Sequence, residues 1–144
     1  REATDLIVQS TGVRPSDDLM LTSAQAKAMR HAGMQIGAHT RSHPILARLD
    51  DGQARVEIKG SKDFLENLLG ERVGLFAYPN GRQTEDYSAA TVNLVRELGF
   101  DSAVSTNWGA ARSATDLFQI PRFTPWDQSR IRFGARLLRN LWQS

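Results

Sequence analysis

Helical and extended segments alternate along this chain, and each of three helical segments is closed by a glycine just ahead of a short apolar run. Ser23–Ala32 reads as a helix: Thr22 with Gln25 three residues on is the capping-box pattern, and Gly33 stands where a left-handed C′ residue ends a helix. Met34–Ala38 then has the length and apolar character of a buried strand. Asp50 or Asp51 caps a second helix running to about Leu69. Its apolar positions Val56, Ile58, Phe64, Leu65, Leu68 and Leu69 approximate one face, Gly60 is its weak point and Gly70 stops it. Val73–Ala77 is the next strand, followed by the turn Pro79-Asn80-Gly81. Tyr87–Leu98 is a helix with Val92, Leu94, Val95 and Leu98 inward, closed by Gly99 before a strand centred on Ala103–Ser105. A polar loop leads to an extended piece at Phe118–Arg122 and to a basic amphipathic helix over roughly Gln128–Gln143. A further short helix is expected over Glu2–Ser10. Such alternation calls for parallel strands joined by crossover helices, so the fold class is α/β. Four strands cannot close a barrel alone.

Composition removes whole classes of function. The 144 residues make one domain, with no apolar run long enough to span a membrane. Eighteen Lys and Arg against sixteen Asp and Glu leave +2, too small a balance to argue for nucleic acid despite a pI near 9.4. The absence of cysteine excludes a disulfide framework, a thiolate zinc site, an iron–sulfur cluster and a Cys nucleophile. No Walker motif, Gly-rich phosphate loop or Ser-centred nucleophile elbow is present.

In parallel α/β folds the site forms at the C-terminal ends of the strands. The unusual residues fall there: His39 and His43 after the first strand, Pro79-Asn80-Gly81 after the second, Thr106, Asn107 and Trp108 after the third, and Arg122 at the end of the fourth. Imidazoles four residues apart share one side of a helical turn and can reach one cation. Neutral imidazole suits zinc, iron, cobalt or nickel. The plainer alternative is one surface histidine and one that caps a turn. His31 fits a helix-end role, favourable to the dipole. Asp17-Asp18 reads as solvated turn acids. Trp108 and Trp126 flank the inferred rim, where sugar stacking competes with a core role; Trp142 reads as core or as a contact with a missing partner. The stripe Arg130, Arg132, Arg136 and Arg139 reads as a solvated face.

Combined, the segments resemble the polysaccharide deacetylases, the NodB-homology domains of carbohydrate esterase family 4 (xylanase/chitin deacetylase-like). Ile36–His43 is similar to the family's His-Ser/Thr-x-x-His metal motif, preceded by Ala32–Gly37 as in its "AGM-x-IG" strand. Phe76–Gly81 resembles the third motif in its "FAYP-x-G" form, Arg96–Phe100 with Ala103-Val104 the fourth region, and Phe118–Arg122 the "LPR" segment. The resemblance implies a partial deformed (β/α) barrel with its first strands missing, residues 1–144 being the C-terminal portion of one such domain. It implies metal-dependent removal of acetyl groups from N- or O-acetylated sugars of a polysaccharide. By position, His39 and His43 are metal ligands, with zinc first and cobalt, nickel or iron as alternatives. The Asn80 backbone N–H matches the oxyanion donor, and Thr40 occupies the slot that holds the histidine loop. Tyr78, Pro79, Trp108 and Trp126 stand as substrate contacts, and Arg122 replaces the third-motif arginine, which is Ala77 here.

Two departures matter. The family's Asp-Asp motif, its catalytic base and third ligand, is absent, and no histidine follows His43 to serve as general acid. The expectation is therefore a chain incomplete at its N-terminus, binding metal weakly or not at all and inactive by itself, within an active parent. The competing readings are a catalytically dead glycan-binding module of the same fold, and a plain α/β interaction domain with structural histidines. Expected partners are an acetylated polysaccharide or oligosaccharide, no nucleic acid, and a second copy docking on the open sheet edge. Peptidoglycan, chitin-like oligomers, poly-N-acetylglucosamine and capsular or lipid-linked glycans all stay open, as do the bacterial cell envelope or periplasm and the cytoplasm.

Overall fold

The computed structural model describes Ser10, residues 20–123 and residues 126–142. The helix expected over Glu2–Ser10 (Ser10 apart) and the pair Asp17-Asp18 lie outside the described residues. Between Met34 and Gln35 the chain divides into two compact units. In the first, helix α1 (Ser23–His31) starts as its capping box requires: the Thr22 hydroxyl accepts from Gln25 N, and the Gln25 side chain accepts from Thr22 N. It ends on Gly33 at φ +91°, with Met34 N donating back to Met29 O. The His31 ring lies 2.8 Å from Lys27 O, a helix-end contact.

The second unit holds the sheet. Strands β1 (Leu75–Ala77) and β2 (Ser102–Val104) pair in parallel, with Phe76 opposite Ala103. Single parallel bridges extend this pair on both sides, Ala38 to Phe76 and Ile120 to Val104. All four strand expectations thus have a counterpart, but the outer two shrink to bridges. Met34–Ala38 is not a buried strand: only Ala38 pairs and is buried, while Met34 is exposed. Its one described neighbour is β1, and Gly37 leaves no room there, since a Cβ would stand 3.1 Å from Leu75 Cβ. The described sheet is open, in keeping with a partial barrel.

Helix α2 (Asp51–Leu69) runs from an Asp50 cap, which accepts from Gln53 N at 2.8 Å, to Gly70 at φ +70°. Its buried face differs from the apolar pattern. Ala54, Ile58 and Ser61 face the core with Leu65 and Leu69 beside them, whereas Val56 and Phe64 are 64% and 60% exposed. Small Ala54 and Ser61 allow close approach, and a hydrophobicity pattern gives such residues no weight. Helix α3 (Ala89–Glu97) starts at a Ser88–Thr91 capping box and buries Val92, Leu94 and Val95, so Tyr87 precedes the helix instead of opening it. Phe76 packs edge-on to Tyr78 at 5.3 Å and against Phe100 at 5.2 Å, and Tyr78 stacks on Tyr87 at 3.9 Å. At the opposite end of β1, the Lys62 ammonium bonds Glu66 and Val73 O at 2.9 Å each and lies over the Phe100 ring. That pairing lets a cation sit in the wall of the core.

Helix α4 (Arg130–Trp142) is tied down by buried Asn140, which accepts from Gly109 N at 2.9 Å and donates to Gly109 O at 3.0 Å. Trp142 is 89% exposed and so is not core among the described residues. No described helix is long and apolar enough to cross a membrane.

Candidate active site

The histidine segment leaves the sheet at Ala38 and turns at once. Thr40 and His43 adopt φ +62° and +58°, a left-handed conformation that is strained for a β-branched threonine. The two rings are therefore brought together by a left-handed turn and not by the helical turn their spacing suggests. Their centroids lie 4.8 Å apart, edge to face.

The turn is held from two sides. Thr40 Oγ1 donates to His39 O at 2.6 Å and accepts from His43 N at 3.2 Å. From α2, the Glu57 carboxylate accepts from the Arg41 and Ser42 amides at 2.9 Å each and from Ser42 Oγ at 2.7 Å. Partial burial would raise the Glu57 carboxyl, but the hydrogen bonds from Ser42 and Arg41 outweigh it and hold it below the usual glutamate value. One turn further along, the Arg41 stem crosses Gly60, where a Cβ would stand 2.6 Å from Arg41 Cδ. The glycine that weakens α2 in sequence is the place where the loop lies on it.

His39 Nδ1 lies 2.7 Å from Ala77 O. A carbonyl only accepts, so Nδ1 carries a proton, which leaves Nε2 as the nitrogen that can offer a lone pair, the arrangement of a metal-ligating histidine. Two imidazole nitrogens suit zinc in kind. In number they fall short: among the described residues no group of three His, Cys, Asp or Glu is placed to hold a metal.

Ala77 also leads into the second part of the site. Asn80 and Gly81 follow with φ +56° and +83°, and Gly81 N donates to Pro79 O. Thr106 docks on this turn, its hydroxyl donating to Asn80 O at 2.5 Å and its amide to Gly81 O at 2.9 Å. The Asn80 N–H donates to no acceptor among the described residues, so it remains available to a ligand. A Cβ on Gly81 would meet Thr106 N at 2.8 Å, whereas Gly99, also left-handed at φ +73°, has nothing within 4 Å. Gly81→Ala should thus cost about 1 kcal/mol more than Gly99→Ala, each carrying about 1–2 kcal/mol of backbone strain. Urea denaturation of the two variants reads the difference.

Asn80, Trp108, Arg122 and Trp126 share one cleft of about 960 Å³, together with Arg82, Glu85 and Asp86. The histidines do not line it. His39 and Thr40 line a smaller depression beside α2, about 430 Å³, with Phe64 and Leu65. Tyr78 and Pro79, expected as substrate contacts, do not line this cleft. Tyr78 is 1% exposed, donates its hydroxyl to Phe118 O at 2.9 Å and has its phenol pushed up by burial; Pro79 is buried with it. Their apolar bulk goes to the floor under the turn. Two acidic features escaped the sequence: Glu57, whose signal was a lone acid on an exposed helix stretch, and Asp86, buried and accepting from Arg82 N at 2.9 Å.

Residues 7–103, which carry both the histidine turn and the Asn80 turn, match the family model for polysaccharide deacetylase. The chain belongs to the polysaccharide deacetylase family. Solved structures share the fold of this polysaccharide deacetylase chain. The Streptococcus pyogenes deacetylase PplD, in complex with acetate, is 32% identical with a TM-score of 0.69, covering 75% of this chain and 46% of that one. A polysaccharide deacetylase from Bacillus cereus gives 20% identity and a TM-score of 0.70, over 94% and 46%. The BpsB deacetylase domain from Bordetella bronchiseptica gives 16% and 0.66, over 78% and 52%. The chain thus spans about half the length of these solved relatives. No curated protein sequence matches it. Trp108, Arg122 and Trp126 lie beyond the stretch matched by the family model.

Proposed function

We propose that this chain supplies the histidine-bearing part of a metal-dependent deacetylase site acting on N- or O-acetylated sugars of a polysaccharide, in the "FAYP" subgroup. The observation that carries the reading is the His39 Nδ1–Ala77 O bond, which fixes one tautomer and offers Nε2 beside the His43 ring. A bound divalent metal, zinc first, would polarise the acetyl carbonyl and lower the pKa of a coordinated water. His39 and His43 would hold it. The Asn80 N–H, fixed by the Thr106 contacts, donates to the oxygen that becomes negative at the acetyl carbon. Trp108 and Trp126 offer exposed rings to sugar faces, and Arg122 adds a cation to the same cleft. Two neutral ligands without a carboxylate make a weak site, so the reading assigns hydrolysis to a longer parent that adds the acid pair.

Calorimetric titration with zinc chloride tests this. The expected result is weak binding by the 144-residue chain that disappears in the His39→Ala, His43→Ala double variant. Zinc binding unchanged in the double variant would overturn the ligand assignment. Acetate released from an N-acetylglucosamine hexamer above the double-variant control would overturn the need for a parent. Zinc-independent hexamer binding with no zinc heat at all would favour the glycan-binding module.

A further inference from the structure

We infer that the glycan this chain binds carries anionic substituents, carboxylate or phosphate, and that helix α4 reads them through Arg132 and Arg139. This rests on the deacetylase reading of the Asn80 cleft and deepens it by naming the substrate class.

A second cleft, of about 710 Å³, abuts the first: Trp108 lines both, and Trp126 of one is the chain neighbour of Asp127 in the other. Its walls are Trp108, Asp127, Ala135 and three arginines of α4, Arg132, Arg136 and Arg139. Spacings of four and three put those arginines on one side of the helix. Among the described residues, only Arg136 of the three is neutralised. Asp127 Oδ1 accepts from its Nη2 at 3.1 Å and Oδ2 forms an ion pair with its Nε at 2.5 Å, with the carboxylate nearly buried, and the guanidinium lies 5.9 Å from the Trp108 ring centre. The expected solvated stripe is therefore wrong for Arg136, which is built into the wall.

Among the described residues Arg132 and Arg139 have no acidic partner, and α4 itself contains no acid. Like charges three and four residues apart weaken a helix, and Arg139 alone gains from the last-turn dipole. Two guanidiniums without an acidic partner among the described residues therefore line a concave wall that continues past Trp108 toward Asn80. A guanidinium fork matches carboxylate and phosphate oxygens in two-point contacts. A polymer lying across Trp108 with its acetyl group at Asn80 brings its neighbouring units to these arginines. A neutral glycan offers them hydroxyl and amide oxygens but no charge to pair.

Calorimetry in EDTA, which removes any dependence on the metal, compares three probes at 50 mM salt. These are a hyaluronan hexasaccharide (carboxylate), a glycerol-phosphate hexamer (phosphate) and a neutral N-acetylglucosamine hexamer. At least one acidic probe should bind about tenfold tighter than the neutral one, an advantage that shrinks at 300 mM salt. The Arg132→Gln, Arg139→Gln variant should erase the advantage and leave the neutral hexamer unchanged. Which acidic probe wins separates carboxylate from phosphate. Equal affinity for all three, or an advantage that survives the double variant, would overturn the inference. So would binding confined to phosphatidylglycerol vesicles, which would assign the arginines to a membrane surface. Failure of zinc binding leaves these outcomes untouched, so the two readings fail separately.

Discussion

Glu57→Ala should weaken zinc binding by about 10–100-fold although Glu57 touches neither histidine, the range seen when the groups that orient metal ligands are removed. Glu57 is a positioning residue. Its carboxylate takes the two amides and the hydroxyl that keep residues 41 and 42 in place between His39 and His43. Without it, Thr40 and His43 lose the main support for their left-handed conformations. Stability should fall by about 1–2 kcal/mol as well, since the freed amides are near water and are partly resatisfied. Because α2 has its own caps, the variant should keep wild-type helix content by circular dichroism. Glu57→Gln keeps an acceptor and should fall between the two. Zinc affinity equal to wild type in Glu57→Ala would sink the positioning role.

The same carboxylate gives a pH dependence of definite sign. Its folded pKa lies below the usual glutamate value, so its contribution is complete above that usual value and is lost as pH falls through the folded pKa. Glu66, lowered chiefly by the Lys62 hydrogen bond, acts in the same direction, as does Asp116, lowered first by the Phe118 amide. Urea midpoints of the metal-free chain should therefore drop on acidification below that range, and by less in Glu57→Gln, which has no carboxyl to protonate.

Phe76→Ala carries the other large effect, a loss of about 3–5 kcal/mol, because a buried ring is removed and its surroundings cannot fully collapse. Phe76 is the middle residue of β1, bridged to Ala38 on one side and Ala103 on the other, and its ring meets Tyr78 and Phe100. Domains of this size hold about 5–15 kcal/mol in all. The variant should therefore be largely unfolded at 37 °C, with its cooperative thermal transition lost or shifted far down. Both halves of the site hang on this strand: Ala77 orients His39, and Asn80 follows three residues later. Phe76→Leu, which keeps most of the volume, should cost only about 1 kcal/mol. A melting temperature within a few degrees of wild type for Phe76→Ala would remove Phe76 from the centre of the core.

Much of the local grammar is written in short stretches of sequence: the Thr22 and Asp50 caps, the glycines that stop each helix, the parallel strands and the inward face of α3, although the sequence pattern opens that helix at Tyr87 and misses the Ser88 cap. These are legible because a cap or a helical period is decided by residues three or four apart, and a left-handed stop selects glycine wherever it occurs. The closeness of His39 to His43 and the Pro79-Asn80-Gly81 turn were also legible, since they involve residues near in sequence, but the left-handed form of the histidine turn was not. The buried face of α2 was not, because Ala54 and Ser61 are chosen for closeness of approach and leave no hydrophobic signal. Nor was Glu57, which lies fifteen and sixteen positions from the amides it holds. The same is true of Tyr78, whose hydroxyl finds Phe118 O forty positions away and so turns inward from the rim. Only the tertiary structure could set Asp127 and Trp108 against Arg136, because a pairing between distant segments depends on how their elements pack, which no local pattern encodes.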